Sequence, residues 1–160
     1  MSISYSLALA TPRPVEQVAE ALREVGVATG LLDPATTGDR LLGENAATTG
    51  GTWLRVVADK PKPWNPVIDV LNATPTVRAA FRLDKTADIS RQQDDVIRLV
   101  TGVLAKVPGD AVLHHDFEVI WLMRRGGELL LNERDDIWPP HRLAVLAQPY
   151  RRETHAFPED

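Results

Sequence analysis

Three polar residues whose side chains are able to bind metals or move protons stand two positions apart near the middle of the chain. They are His114, Asp116 and Glu118. On an extended strand, side chains two residues apart point to the same face of the sheet, which is compatible with a metal site or an acid–base pair. The simpler interpretation is a solvated face whose charged groups pair with Arg78, Arg82 or Arg55 on neighbouring strands. A small-ligand-binding or enzymatic site on this polar sheet face stays open as the alternative.

Sequence motifs for catalysis are absent. The chain has no cysteine, so disulfides and thiolate metal sites are excluded. It also lacks the G-x-S-x-G, H-E-x-x-H, P-loop and G-x-G-x-x-G patterns of common hydrolases, metalloenzymes and nucleotide-binding proteins. We therefore predict no catalytic residues, no metal, no cofactor and a protein that is not an enzyme.

Length and charge restrict the class of protein further. A chain of 160 residues is long enough for one domain with a real core. Its net charge of −4 argues against a general nucleic-acid-binding surface. No apolar run approaches the roughly 20 residues that cross a bilayer, and the first residues do not resemble a signal peptide. We expect a soluble cytoplasmic protein that binds neither nucleic acid nor membrane.

The longest alternating pattern covers residues 110–123 and predicts one long strand with a face on the core. Its apolar side would carry Leu113, Phe117, Val119, Trp121 and Met123. Gly126 and Gly127 are able to take the positive φ angles of a tight hairpin turn, so the chain should return through residues 128–132.

Further strands are predicted at residues 3–9, 52–58 and 76–85, and residues 31–51 are expected to be mostly loop. Apolar residues at helical spacing predict one amphipathic helix from Val15 and a second that a capping box of Ser90 and Gln93 would begin. The order favours an α+β two-layer sandwich. It would have a mostly antiparallel sheet of about five strands, with two amphipathic helices on one face, ferredoxin-like with an extra edge strand. Residues 1–147 would form this domain, and 148–160 an extended tail.

Candidate partner-binding residues lie in the loops. Trp64 and Trp138 stand in proline-rich segments, where a tryptophan either covers the core or anchors a partner. Trp53 and Trp121 lie in predicted strands and are expected in the core. An acidic run after the hairpin is either a solvated loop or a docking rim for a basic partner. The resulting set of candidates is Trp138, His141, Glu133, Asp135, Asp136 and Trp64.

Five segments resemble one bacterial family. They are residues 4–12 (SYSLALATP), 51–57 (GTWLRVV), 81–85 (FRLDK), 92–100 (QQDDVIRLV) and 117–127 (FEVIWLMRRGG). Over about residues 2–147 the chain resembles the Sit immunity-like proteins, named for the swarm-inhibition toxin and immunity pairs of myxobacteria and common in actinobacteria. The resemblance implies a cytoplasmic protein that binds and neutralises a cognate toxin. Its motifs are structural and imply no active-site residues.

We therefore predict a toxin-neutralising immunity protein that acts by stoichiometric binding through an acidic and aromatic surface. The alternative, a ligand-binding or enzymatic domain, predicts a concave pocket where polar groups converge with perturbed pKa values. A homodimer formed through the open sheet face or an edge strand is a third possibility.

Overall fold

A computed structural model describes residues 3–43 and 46–158, and a single mixed sheet runs through it. Within these residues the sheet has eight strands: β1 (Ile3–Ala10), β2 (Ala46–Ala47), β3 (Trp53–Ala58), β4 (Val77–Leu83), β5 (Asp110–His115), β6 (Val119–Arg125), β7 (Glu128–Leu131) and β8 (Tyr150–Arg152). The described helices are α1 (Val15–Ala28), α2 (Gly38–Leu42), α3 (Pro66–Leu71), α4 (Ile89–Lys106) and α5 (Pro140–Leu143). None of them is long and apolar enough to span a bilayer.

The strand order is β2-β3-β4-β1-β5-β6-β7-β8. All neighbours are antiparallel except β7 and β8, which are parallel. The expected sheet of about five antiparallel strands with two helices is therefore wrong. Inside the larger sheet, β1, α1, β3, β4, α4 and β5 follow the split β-α-β order. The remaining strands extend this unit at both edges.

One cause of the larger sheet is a turn without glycine in the stretch predicted as one long strand. Asp116 and Phe117 have φ angles of 50° and 59°, and Glu118 N–H donates to the His115 carbonyl oxygen at 2.8 Å. Two successive left-handed residues fit the twist of a tight hairpin. Asp tolerates this conformation, whereas a bulky residue such as Phe117 rarely adopts it. The stretch therefore folds back as β5 and β6.

A β-bulge then shifts the register of this hairpin. Leu113 pairs with Leu122, whereas His114 pairs with Ile120, so Trp121 is the extra residue on β6. A bulge inserts one residue and interrupts the regular alternation of faces.

The bulge changes which side chains face the helices. Met123, which the pattern placed on the same side as Leu113 and Trp121, packs with Val112 on the opposite face. Leu122 instead joins Leu113 in the core beneath the helices.

Helices α1 and α4 cover one face of the sheet, and their predicted amphipathic stripes are confirmed. Val18, Leu22, Leu99 and Val103 are buried against the strands. The predicted capping box is wrong. The N-cap of α4 is Asp88, whose carboxylate accepts a hydrogen bond from Arg91 N–H at 3.0 Å, which satisfies a free amide of the first turn.

The other face, here called the far face, is only partly covered, which contradicts the expectation of helices on one face alone. Helix α3 begins after Asn65, whose side chain accepts from Val67 N–H at 2.9 Å. Its buried residues Val67 and Leu71 form a second apolar cluster with Val112 and neighbouring side chains of β1 and β6. The half of the far face over β3, β4 and the start of β1 carries no helix of the described chain.

Candidate functional site

The uncovered half of the far face, which we call the open half, is built from three rows of side chains across β3, β4 and β1. The strand register sets these rows. In the sheet order β3, β4, β1, they are Trp53, Arg82 and Ser4; then Arg55, Ala80 and Ser6; and then Val57 and Arg78, whose neighbour Ala8 on β1 is already buried in the cluster beneath α3.

Small side chains at the centre make the open half concave. Ser4, Ser6 and Ala80 form the floor, and Trp53 and the arginines rise around them because long side chains stand nearly perpendicular to a sheet. The resulting groove has a volume of about 450 Å³. Its lining residues are Ser4, Tyr5, Ser6, Trp53, Leu54, Arg55, Arg78, Ala80, Phe81 and Arg82.

Trp53 is the main apolar group of the groove and is 47% exposed. The guanidinium carbon of Arg82 lies 5.6 Å from the centroid of the Trp53 ring. This is a cation–π geometry. Trp53 was predicted in the core, but Leu54 and Val56 take the helix side of β3 instead. A large ring is therefore left facing outward beside a cation.

The open half is also positively charged. Neither Arg78 nor Arg82 forms an ion pair with any carboxylate among residues 3–43 and 46–158. Guanidinium groups stay protonated at all ordinary pH values. A cationic face therefore exists on a chain whose net charge is −4.

The remainder of the far face, here the covered half, has the opposite character. His114 is buried there, with its ring 4.5 Å from that of Phe117 and 5.2 Å from that of Phe157. Its Nδ1 accepts a hydrogen bond from Phe117 N–H at 3.1 Å. Burial, with smaller contributions from the charges of Arg78 and His115, lowers the pKa of His114 from 6.5 to about 4. The imidazole is therefore neutral at pH 7.

The five residues of the polar sheet-face hypothesis do not converge. His114 is enclosed by aromatic rings, and Asp116 lies in the turn with its Oδ2 3.4 Å from His115 Nε2. Glu118 is exposed beyond that turn. Only Arg78 and Arg82 reach the groove. No group of three His, Asp or Glu side chains able to hold a metal occurs in the described part of the chain.

The proposed aromatic anchor Trp138 faces inward. It is 1% exposed, and its Nε1 donates to the Trp121 carbonyl oxygen at 2.7 Å. The ring therefore covers the core and does not anchor a partner from the surface. His141 lies beside it on the surface, with Nε2 3.0 Å from Asp94 Oδ1.

The acidic loop after β7 is on the surface, and the chain itself pairs part of its charge. Asp136 accepts from Arg134 at 2.7 Å, and Glu133 Oε2 accepts from Thr154 N–H at 3.3 Å. Asp135 is fully exposed, 3.9 Å from Arg152. The loop follows β7, five strands from β3, and neighbouring strands are about 4.8 Å apart. It is therefore roughly 24 Å from Trp53 across the sheet.

Trp64 is 78% exposed and stands apart from the acidic loop. Its loop follows Ala58, which pairs with Val77 at one end of the sheet. The acidic loop follows Leu131, which pairs with Leu122 towards the opposite end. The acidic and aromatic candidates therefore do not form one continuous surface.

Comparison with known proteins identifies the family. A family model described as SitI3-like matches residues 3–142. The chain belongs to the SitI3-like family. This confirms the resemblance to Sit-type immunity-like proteins, and the family name associates the chain with immunity-type proteins. No curated protein and no solved structure matches it.

The SitI3-like match covers the open half completely. It extends from the first residue of β1 into α5, so Trp53, Arg78 and Arg82 lie inside it. Strand β8 and Phe157 lie beyond its last residue.

Trp53 is the residue of the open half that the sequence analysis placed wrongly. The sequence did contain a clue to its position, because Arg55 stands two residues further along the same strand. Residues two apart on a strand lie on the same face of the sheet. If Arg55 faces solvent, Trp53 must face solvent as well.

Proposed function

We propose that this SitI3-like protein is a non-enzymatic immunity protein that neutralises a cognate toxin by stoichiometric binding in the cytoplasm. The observation that carries the proposal is the groove of the open half, where the exposed Trp53 ring lies beside Arg82. Tryptophan and arginine are enriched among the residues that dominate protein–protein binding energy. The family association with immunity supports the same role.

The chemistry of the groove supports binding more than catalysis. Among residues 3–43 and 46–158, those that line it include no histidine and no carboxylate. The cross-strand partner of Ser6 on β5 is His114, but its ring packs against Phe117 and Phe157, and its Nδ1 accepts a hydrogen bond from Phe117 N–H. A serine hydroxyl needs an adjacent base to act as a nucleophile, and the hydrogen bond from Phe117 already occupies this nitrogen. The arginines cannot accept a proton. Charge, hydrogen-bond donors and one aromatic ring remain, and these are the components of a recognition surface.

The test is a binding measurement between the purified chain and the product of the adjacent gene. We expect a 1:1 complex by calorimetry and light scattering, and protection of cells that express the toxin. Trp53→Ala should weaken binding by about 30-fold, because truncating a central anchor costs about 2 kcal/mol. Trp64→Ala is the matched control, since this second exposed tryptophan lies outside the groove, and it should change affinity less than about threefold.

Other outcomes would overturn parts of the proposal. If binding is lost with Asp135→Asn and Asp136→Asn but not with Trp53→Ala, the toxin docks on the acidic loop predicted from the sequence. If the chain forms no complex and is dimeric alone, with the dimer dissociated by Trp53→Ala, the open half is a homodimer interface and the immunity proposal is wrong.

A further inference from the structure

We infer that the open half recognises an acidic protein segment, whose carboxylates bind Arg78 and Arg82 while an apolar side chain packs on Trp53. This inference rests on the proposed function and deepens it by assigning the chemistry of the partner. A partner with a basic or neutral contact surface would not match this groove.

The spacing of the two arginines sets the size of the segment. Arg78 and Arg82 are four residues apart on β4 and point to the same face, so their Cα atoms are roughly 13 Å apart. Ala80 lies between them, and Ser6 is its partner on β1. Because both are small, a partner segment can lie in the gap close to the sheet. Two carboxylates four residues apart on an extended segment, or about two turns apart on one face of a helix, span this distance.

The floor supplies further donors to the same ligand. Ser4 pairs with Arg82 across β1 and β4, and Ser6 lies two residues further along β1. Both serines are half-buried in the groove lining, and each hydroxyl is able to donate to a carboxylate oxygen that a guanidinium leaves free. Arginine binds carboxylates in a two-pronged geometry. Arg78, Arg82, Ser4 and Ser6 thus supply two guanidinium groups and two hydroxyl groups as hydrogen-bond donors to an acidic ligand.

The absence of an intramolecular ion pair at Arg78 and Arg82 supports an external partner. Some surface arginines, such as Arg23, Arg134 and Arg151, lie beside a carboxylate of their own chain, whereas others, such as Arg13, form no ion pair in the described part of the chain and lie outside the groove. Arg78 and Arg82 have none within residues 3–43 and 46–158. These two positive charges on one concave face therefore remain for a partner of opposite sign.

An acidic protein fits better than a nucleic acid. Nucleic-acid surfaces carry an extended basic stripe that follows the phosphates, whereas here the described residues of the groove include no lysine and the chain is net acidic. Arg78 and Arg82 stand beside a floor of small residues, and this arrangement fits a short segment that carries carboxylates.

The experiment uses the full chain carrying Trp64→Phe, so that Trp53 is its only strongly exposed tryptophan. The probe is an N-acetylated, C-amidated heptapeptide of alternating glutamate and leucine, and its glutamine version is the neutral control. We expect the acidic peptide to change Trp53 fluorescence and to bind at least about tenfold tighter than the neutral one. The double substitution Arg78→Ala and Arg82→Ala should weaken binding of the acidic peptide about tenfold. Salt at 300 mM should also weaken this binding. Arg13→Ala, which removes an exposed arginine of the helix side, should leave it unchanged.

The outcomes separate this inference from the proposed function. Binding of the acidic peptide without any toxin complex supports the acidic-segment site and overturns immunity. A 1:1 toxin complex that is insensitive to salt and to both arginine substitutions supports immunity and overturns the acidic-segment site. Equal binding of both peptides, or tighter binding of oligothymidylate than of the acidic peptide, also overturns the inference.

Discussion

The two halves of the far face differ although they share strand β1. In the covered half, Ala8 packs with Val112 and Met123 beneath Leu71 of α3. Two to four residues earlier on the same strand, Ser4 and Ser6 form the floor of the open groove. A helix can bury its apolar stripe only where the sheet is apolar. Helix α3 therefore covers β1 at Ala8 and leaves it uncovered at Ser6 and Ser4, where the strand becomes polar.

On this one face of the sheet, the residues expected to stabilise the fold are therefore different from those expected to bind a partner. The apolar cluster of the covered half is buried, and removing its side chains leaves cavities. Side chains of the open half contact few neighbours, so substituting them should cost little folding free energy. An exposed aromatic and cationic patch that contributes little to folding is consistent with a role in binding.

The largest effect is expected in the covered half. Leu71→Ala should lower the free energy of unfolding by about 2–4 kcal/mol, because it leaves a cavity between α3 and the sheet. Urea denaturation followed by far-ultraviolet circular dichroism measures this change. Leu71→Met, which nearly conserves the volume, should cost less than about 1.5 kcal/mol. A loss below 1 kcal/mol for the alanine variant would show that α3 is not firmly packed and that the two halves are not distinct.

Because His114 is buried in the covered half, the free energy of unfolding should depend on pH. The pKa of His114 is about 4 in the folded chain, against about 6.5 in an unfolded one. Between these values the unfolded state binds one more proton, so stability falls as pH falls from 6.5 to 4. The loss amounts to about 3 kcal/mol and levels off below pH 4, where the folded state is protonated as well.

The measurement compares urea unfolding of the wild type and His114→Asn between pH 7 and pH 4. Asparagine keeps an acceptor for Phe117 N–H but does not titrate, so the variant should lack this component. Burial raises the pKa of Asp95, which gives a contribution of opposite sign, but it is common to both chains and cancels in the difference. Parallel curves for the two chains would contradict the buried, neutral histidine.

The parts of this fold that the sequence predicted are those set by local patterns. The stripes of α1 and α4 recur at helical spacing, and Pro108 with Gly109 marks the end of α4. Alternation also placed Arg78 and Arg82 on an outward sheet face, where the structure has them. Such patterns depend on neighbours a few residues away, so one sequence contains them.

The features that the sequence did not predict depend on long-range pairing. The bulge at Trp121 exists only because a partner strand is present. The turn at Asp116 and Phe117 lacks the glycine that usually marks such hairpins. Trp53 was misplaced because both faces of β3 carry apolar side chains, so alternation alone does not choose between Leu54 and Trp53. The position of Arg55 on the same face as Trp53 was the one local signal for the outward face.

A smaller effect is expected at the aromatic cover of His114. Phe157→Ala removes a half-buried ring 5.2 Å from His114 and 5.8 Å from Phe117. We expect a loss of about 1–2 kcal/mol, less than for a fully buried phenylalanine. Exposure of the imidazole should also raise the pKa of His114 towards 6.5, as measured by NMR titration. Phe157→Leu should preserve most of both properties. An unchanged pKa in the alanine variant would show that Phe157 does not enclose the histidine.

The smallest effect on folding is expected in the open half. Trp53→Ala and Arg82→Ala should each change the free energy of unfolding by less than about 1 kcal/mol, because an exposed cation–π contact contributes only about 0.5–1 kcal/mol. A double-mutant cycle in urea should give a coupling of about 0.5 kcal/mol between them. A loss of 2 kcal/mol or more for Trp53→Ala would make this ring a structural element. Reduced binding by that variant would then no longer identify a docking surface, and the distinction between the covered and open halves would fail. If the loss is small, weaker binding by Trp53→Ala reports the contact itself.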